Sequence, residues 1–305
     1  MVTTAQAVLG GEVAVLVVGF AYAALADLRT REVSDRLWQV MGLLGVALGT
    51  VGVAGGGVLP TALWILVGGF ALQHVFAWDD LLGAEGAGAA DVIEMVAYGV
   101  VLVVVIVSAI HYGISATGVP WAVVAVLISV LFARGLFEAG ILYGGADAKA
   151  LMIAAVILPT FSSVVVPLPA SFAGMLNSVP FAVDLLMNAA LLAIVIPIGL
   201  AIRNAARHEF RWPDGFTGYM LPVSQLPHRF VWLEDPLAHG ARERDEIETS
   251  EDDQRVRERQ AAELSAKGVT RVWVTPQIPF LVLMAAGAVA AVLAGNLVLD
   301  LIALA

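Results

Sequence analysis

The sequence predicts an all-α polytopic membrane protein with about eight transmembrane helices and a small mixed hydrophilic insert before the last of them. Three observations predict this. Of 305 residues, 60% are hydrophobic and 14% charged, and the mean hydropathy is +0.88, far from the composition of a water-soluble globule. Apolar stretches of bilayer length recur along the chain, since a hydrocarbon core about 30 Å thick needs roughly 20 apolar residues per helix. The basic residues fall on alternate connecting segments only.

The spans in order are residues 8–26, 37–54, 59–77, 92–112, 119–138, 147–166, 180–202 and 277–303, each bounded by Gly, Pro or charged clusters. The first has no Lys or Arg before it and several after it, so it reads as a retained helix with its N-terminus outside rather than as a signal peptide. Spans two and three are joined by VGVAGGGVLP, a hairpin turn with Pro60 in the first turn of the next helix, which makes the two antiparallel neighbours. With that orientation the cytoplasmic segments are 27–36, 78–91, 139–146 and 203–276. Arg29, Arg31 and Arg36 lie in the first, Arg134 and Lys149 flank the third, and the remaining basic residues run from Arg203 to Arg271. Residues 78–91, with Asp79, Asp80, Glu85 and Asp91 among Gly and Ala, read as an acidic linker.

The domain division that follows is a membrane domain over 1–202, a cytoplasmic hydrophilic segment over 203–276 and a C-terminal transmembrane helix over 277–305. Within the hydrophilic segment YMLPVSQL, HRFVWLE and TRVWVT alternate as short strands do. ARERDEIETSEDDQRVRERQAAELSAKG reads as a charged helix or a solvated run.

Composition also excludes. With no cysteine, disulfides, thiolate metal sites and cysteine nucleophiles are ruled out, so the chemistry must use oxygen or imidazole. A net charge of −10 argues against a nucleic-acid binder, which leaves protein and lipid bilayer as partners. His74, His111, His208, His228 and His239 are scattered without a ligand pattern, and Ser108 and Ser115 near His111 lack a nucleophile-elbow setting. Neither a metalloprotease nor a serine protease is expected.

Two acids stand out. Asp27 ends the first span in ALADLRTREVSDRLW, and Asp147 opens the sixth in YGGADAKALMIAAV. Four spans intervene, an even number, so both acids fall on one membrane face. Gly144, Gly145 and Ala146 precede Asp147, small residues that let backbone and a substrate strand approach a carboxylate at a helix N-terminus. Taken singly, each acid reads more readily as a cap or anchor than as a catalytic group. Arg29 and Arg31 have positive-inside anchoring as their ordinary explanation, Ser34 and Asp35 suit a helix start, and Arg134 and Glu138 have the i,i+4 spacing of a compensating pair.

The combination resembles the archaeal prepilin and preflagellin (prearchaellin) peptidases, of the GxGD intramembrane aspartic protease family. Asp27-Leu28-Arg29-Thr30-Arg31-Glu32-Val33-Ser34-Asp35 is similar to that family's first motif, an Asp followed two residues later by a basic residue and eight later by Asp or Asn. Gly144-Gly145-Ala146-Asp147 resembles the GxGD motif, with Ala146 in place of the second glycine. Val272-Trp273-Val274-Thr275-Pro276-Gln277-Ile278-Pro279-Phe280 is similar to the segment by which archaeal members enter their last helix. Shorter members place fewer helices between the aspartates, and an extra helical pair keeps the parity.

The resemblance implies an aspartic endopeptidase that needs no cofactor and no metal. Asp27 and Asp147 would be catalytic, Gly144, Gly145 and Ala146 site-shaping, and Arg29 and Asp35 supporting. Its substrates would be pilin or archaellin precursors, cut at the cytoplasmic face before their hydrophobic helix. The paired CxxC motifs of bifunctional relatives are missing, so no methyltransferase activity is expected. The competing readings are a cation- or proton-coupled transporter using the same two acids, and a noncatalytic assembly component.

Overall fold

A computed structural model of the chain describes residues 3–76, 87–142, 144–161, 179–233 and 250–304. The acidic linker residues Asp79, Asp80 and Glu85 lie outside the described residues. The described helices are α1 (Thr4–Thr30), α2 (Asp35–Val53), α3 (Val58–Leu72), α4 (Ala87–Tyr112), α5 (Trp121–Glu138), α6 (Gly145–Ile157), α7 (Phe181–Ala193), α8 (Val195–Ala206), α9 (Ser250–Ala266), α10 (Phe280–Ala294) and α11 (Leu297–Leu304). The strands are β1 (Tyr219–Pro222), β2 (Val231–Leu233) and β3 (Arg271–Pro276).

The chain divides into two compact units, one of Met1–Leu25, Val33–Ala189 and Leu281–Ala305, the other of Ala26–Glu32 and Ala190–Phe280. The first unit is helical. Five described stretches, Thr4–Thr30, Asp35–Gly56, Val92–Tyr112, Trp121–Glu138 and Phe181–Ala206, are long and apolar enough to cross a membrane. Val58–Leu72 and Phe280–Ala294 are shorter apolar helices. The expected spans 59–77, 147–166 and 277–303 are therefore not continuous helices. The first breaks after Leu72. The second ends at Ile157, where Leu158 leaves the helical conformation ahead of Pro159. The third is interrupted at Gly295, whose φ of +87° closes α10 before α11 begins.

Small residues bring these helices together. Gly19 of α1 lies against Met41 of α2, Gly49 of α2 against the Trp64 ring, and Gly42 against Leu72 and Ile153. Gly45 lies against backbone, since a Cβ there would stand 3.1 Å from the Ile157 Cα. Gly42 meets Ile153 and Gly45 meets Ile157, both positions rising together, so α2 and α6 run parallel. The thirteen residues of α6 rise only about 20 Å, and every residue from Ala150 to Ile157 is buried. A stretch that is apolar all round, as 150–157 is, belongs in the middle of a bundle.

Polar groups are paired where they enter this unit. Asn296 donates to Asp184 Oδ1 at 2.7 Å, Asn188 donates to the Gly295 carbonyl at 2.8 Å, and the Leu297 amide donates to Asn188 Oδ1 at 2.9 Å. This network satisfies the backbone freed by the break between α10 and α11. Arg134 pairs with Glu138 at 2.7 Å, the expected i,i+4 contact, and lies 3.5 Å from Glu94. Tyr98 and His74 share a hydrogen bond of 3.1 Å beside the same Glu94.

In the second unit, β3 is the centre of an antiparallel sheet of order β1-β3-β2. Alternation put these strands where the sequence predicted them, and the inward positions Leu221, Val231, Val272 and Val274 join Val223, Leu226 and Ala261 in a small core. Ala261 comes from α9, the described part of the charged run, so one face of that helix is packed. Asn204 at the end of α8 is fully buried and donates to the carbonyls of Gly215 and Gly218 at 2.9 and 2.8 Å, fixing the loop that leads to β1.

Candidate functional site

Asp147 occupies the first turn of α6. Gly144 caps that helix with extended backbone, φ −94° and ψ 123°, and its carbonyl accepts from the Asp147 amide at 3.0 Å. The side chain turns back over the cap, so a Cβ on Gly144 would stand 2.9 Å from Asp147 Oδ2, whereas one on Gly145 would meet nothing within 4 Å. Of these two glycines, only at Gly144 would an added side chain meet the Asp147 carboxylate. Among described non-glycine residues only Arg31 and His208 have positive φ, so Ala146 carries its methyl group on unstrained helical backbone. A carboxylate at this position also gains from the helix dipole and the free amides of the first turn.

Lys149, one half-turn further along α6, donates from Nζ to Asp35 Oδ1 at 2.6 Å. Asp35 is the first residue of α2, capped by the Ser34 hydroxyl, which accepts from the Arg36 amide at 3.3 Å. The last residue of the first motif is thereby tied to the helix that carries the second motif, at the end from which both parallel helices start.

Asp27 belongs to the second unit, as part of Ala26–Glu32. Here α1 terminates on an unusual residue. Arg31 has φ +61°, the left-handed conformation that ordinarily selects glycine, and its amide donates to the Asp27 carbonyl at 3.2 Å. The Thr30 hydroxyl donates to the Ala26 and Glu32 carbonyls, at 3.0 and 3.1 Å. Left-handed backbone costs a non-glycine residue about 1–2 kcal/mol, and the Arg31 side chain shows what offsets it. Nη2 donates to the Gln277 carbonyl at 2.9 Å, Cζ stands 4.9 Å from the centre of the Phe230 ring, and Nη1 is 3.8 Å from Asp27 Oδ1. Arg257 from α9 stacks on the same Phe230 at 5.4 Å. Burial pulls the Arg31 guanidinium below its ordinary value, with the Asp27 charge opposing that shift.

Each predicted site residue can now be placed. Asp27 and Asp147 lie in different units, Asp147 with Gly144, Gly145, Ala146 and Asp35 in one, Asp27 with Arg29 and Arg31 in the other. Arg29, the basic residue of the first motif, is exposed on the last turn of α1, and Arg31 makes the contacts instead. Sequence reasoning missed Phe230, Gln277, Arg257 and the role of Lys149. Only Gln277 stood in a quoted motif, and nothing there linked it to Arg31.

The apolar helices are consistent with an all-α membrane protein. Residues 215–297 match the family described as Archaeal Peptidase A24 C-terminus Type II, which supports an archaeal prepilin/preflagellin peptidase family member, as the motifs imply. That match supports aspartic protease activity and a prepilin-type peptidase role in general. Phe230 and Gln277, two of the three groups that Arg31 reaches, fall inside the matched stretch. A search of the curated proteins returned no match.

Proposed function

We propose that the protein is a membrane-embedded aspartic endopeptidase that removes the N-terminal leader of pilin- or archaellin-like precursors at the cytoplasmic face. Asp27 and Asp147 form the catalytic pair. Two carboxyl groups brought close cannot both ionise readily, so they share a proton. The ionised member takes a proton from water, which attacks the scissile carbonyl, and the protonated member delivers one to the leaving amine. The intermediate is tetrahedral, with no acyl-enzyme, and the pair titrates as a unit.

The family match at 215–297 carries this reading, because it encloses the residues that hold Arg31 beside Asp27. Further support comes from Lys149 and Asp35, which link the two motif-bearing segments, and from the fit of the Asp147 carboxylate over Gly144. In this reading the precursor's apolar helix lies in the bilayer while its short leader reaches the membrane surface near the pair.

The test is cleavage of a panel of pilin and archaellin precursors in membranes by the wild type and by Asp27→Asn and Asp147→Asn at equal expression. Asparagine is nearly isosteric and can serve as neither acid nor base. Leader removal by the wild type and its loss in both variants, with insertion intact, is the expected result. Normal cleavage by either variant would remove that aspartate from the mechanism.

A further inference from the structure

We infer that the second unit holds an anion-binding cleft that takes a phosphate group where α8 reaches the membrane surface, a site independent of the peptidase reading. The cleft has a volume of about 480 Å³, and four arginines line it, Arg203, Arg207, Arg229 and Arg271, together with Tyr219 and Gln225. Among the described residues that line it, none is acidic. In a chain of net charge −10 with sixteen basic residues, this is a concentrated positive field.

The arginines arrive from separate elements. Arg203 and Arg207 are one turn apart at the end of α8, Arg229 follows the 3-10 turn Val223–His228, and Arg271 opens β3. Positive-inside anchoring and the dipole at a helix C-terminus explain the first two. They do not explain why Arg229 and Arg271 converge on the same space, where like charges repel. Glu209 offsets part of that repulsion, and its carboxylate accepts from Arg271 Nη1 at 2.5 Å. Among the described residues, Arg207 acts on Glu209 only through its charge, and Arg229 forms no ion pair. Among the described residues, four cations share one anion, an imbalance that a negative ligand would relieve.

Geometry specifies the class of that ligand. The Arg203 guanidinium lies 4.1 Å from the centre of the Tyr219 ring, which fixes its plane, and Nη1 donates to Asn204 Oδ1 at 3.2 Å. A planar, pre-oriented guanidinium with further arginines around it matches the several oxygens of a phosphate group, to which paired N–H donors bind in parallel. The cleft also sits at a fitting height. The stretch Phe181–Ala206 is apolar enough to cross a membrane, Ile198 and Ile202 of α8 are exposed as lipid-facing residues are, and the arginines begin at its end. Basic pockets in that position take anionic headgroups. An acidic phospholipid and free phosphate share this chemistry, and an experiment separates them.

Binding would be measured on the purified full-length protein in detergent by native mass spectrometry and thermal unfolding. The probes are phosphatidylglycerol, phosphatidylcholine as the zwitterionic control, and inorganic phosphate without lipid. The variants are Arg207→Gln/Arg229→Gln, at exposed positions that leave folding contacts intact, and Arg207→Lys/Arg229→Lys, which keeps the charge and loses the planar fork. The expected result is selective phosphatidylglycerol binding, weakened at least about tenfold in the glutamine variant and less in the lysine variant. If inorganic phosphate binds with the same dependence on Arg207 and Arg229, the ligand is free phosphate; if only the lipid does, it is a headgroup. Equal binding by wild type and the glutamine variant, or no preference of the wild type for either anion over phosphatidylcholine, overturns the site.

Discussion

Lys149 and Asp35 are joined at 2.6 Å although 114 residues separate them in the chain. Their side chains are 27% and 44% exposed, and a pair so open to water contributes about 0–1 kcal/mol to stability. Its value lies in register, since it fixes the starts of α2 and α6 side by side. Lys149→Gln and Asp35→Asn should each lower precursor cleavage several-fold while shifting the unfolding midpoint little. The reversed pair Asp35→Lys/Lys149→Asp should recover part of the loss. Singles that cleave like the wild type would show that this register does not bear on activity.

The glycines before Asp147 should separate under substitution. In Gly144→Ala the new methyl group meets Asp147 Oδ2, the movable end of a side chain, so the structure yields easily and the carboxylate is displaced. A rate loss on the order of tenfold or more with a stability change under about 1 kcal/mol is expected, because small misplacements of a reacting group are costly. Gly145→Ala faces open space at a helical position and should stabilise α6 by roughly 0.5–1 kcal/mol with activity kept. Steady-state cleavage and thermal unfolding of the two variants in parallel check both statements. Equal activity in both would remove Gly144 from the site.

Local features of this fold were readable because their causes are local. The alternation in YMLP, VWL and RVWVTP gave the three strands, Ser34 and Asp35 announced the start of α2, and Arg134 found Glu138 one turn away. Continuous spans were less readable. Average hydropathy runs across Pro159 and across Gly295-Asn296, while the backbone breaks at both, and at the second Asn188 and Asp184 supply hydrogen bonds. Long-range partners had no sequence signal at all. The motif singles out Arg29, but it is Arg31, two residues on, that adopts left-handed backbone and reaches Gln277. Lys149 counted only as a positive charge until Asp35 appeared beside it.

Protonation of Glu209 should loosen the sheet-bearing unit in acid. Its carboxyl is held below the ordinary 4.5, first by the hydrogen bond from Arg271 and further by the charges of Arg271, Arg207 and Arg203. A group depressed in the folded state contributes stability that is complete above its ordinary value and is lost as pH falls through the lower folded one. The loss therefore begins below about pH 4.5. Limited proteolysis of the intact protein between pH 7 and pH 3 should reveal cleavage in 203–233 at the acid end. In Glu209→Gln that pH dependence should flatten, and an unchanged profile would assign the acid sensitivity to other carboxylates.

Backbone strain and side-chain contacts at Arg31 can be separated by two substitutions. Arg31→Gly removes the side chain and relieves about 1–2 kcal/mol of left-handed backbone, whereas Arg31→Ala removes the side chain and keeps the strain. What the variants share is the loss of the Gln277 hydrogen bond, the Phe230 stacking and the Asp27 ion pair. Hydrogen exchange over residues 26–32 and 271–280 should accelerate in both, and more in Arg31→Ala. If Arg31 positions Asp27 for catalysis, kcat should fall in both variants with KM little changed, and the greater stability of the glycine variant should not restore it. Full activity in Arg31→Gly would show instead that the arginine serves only to close α1.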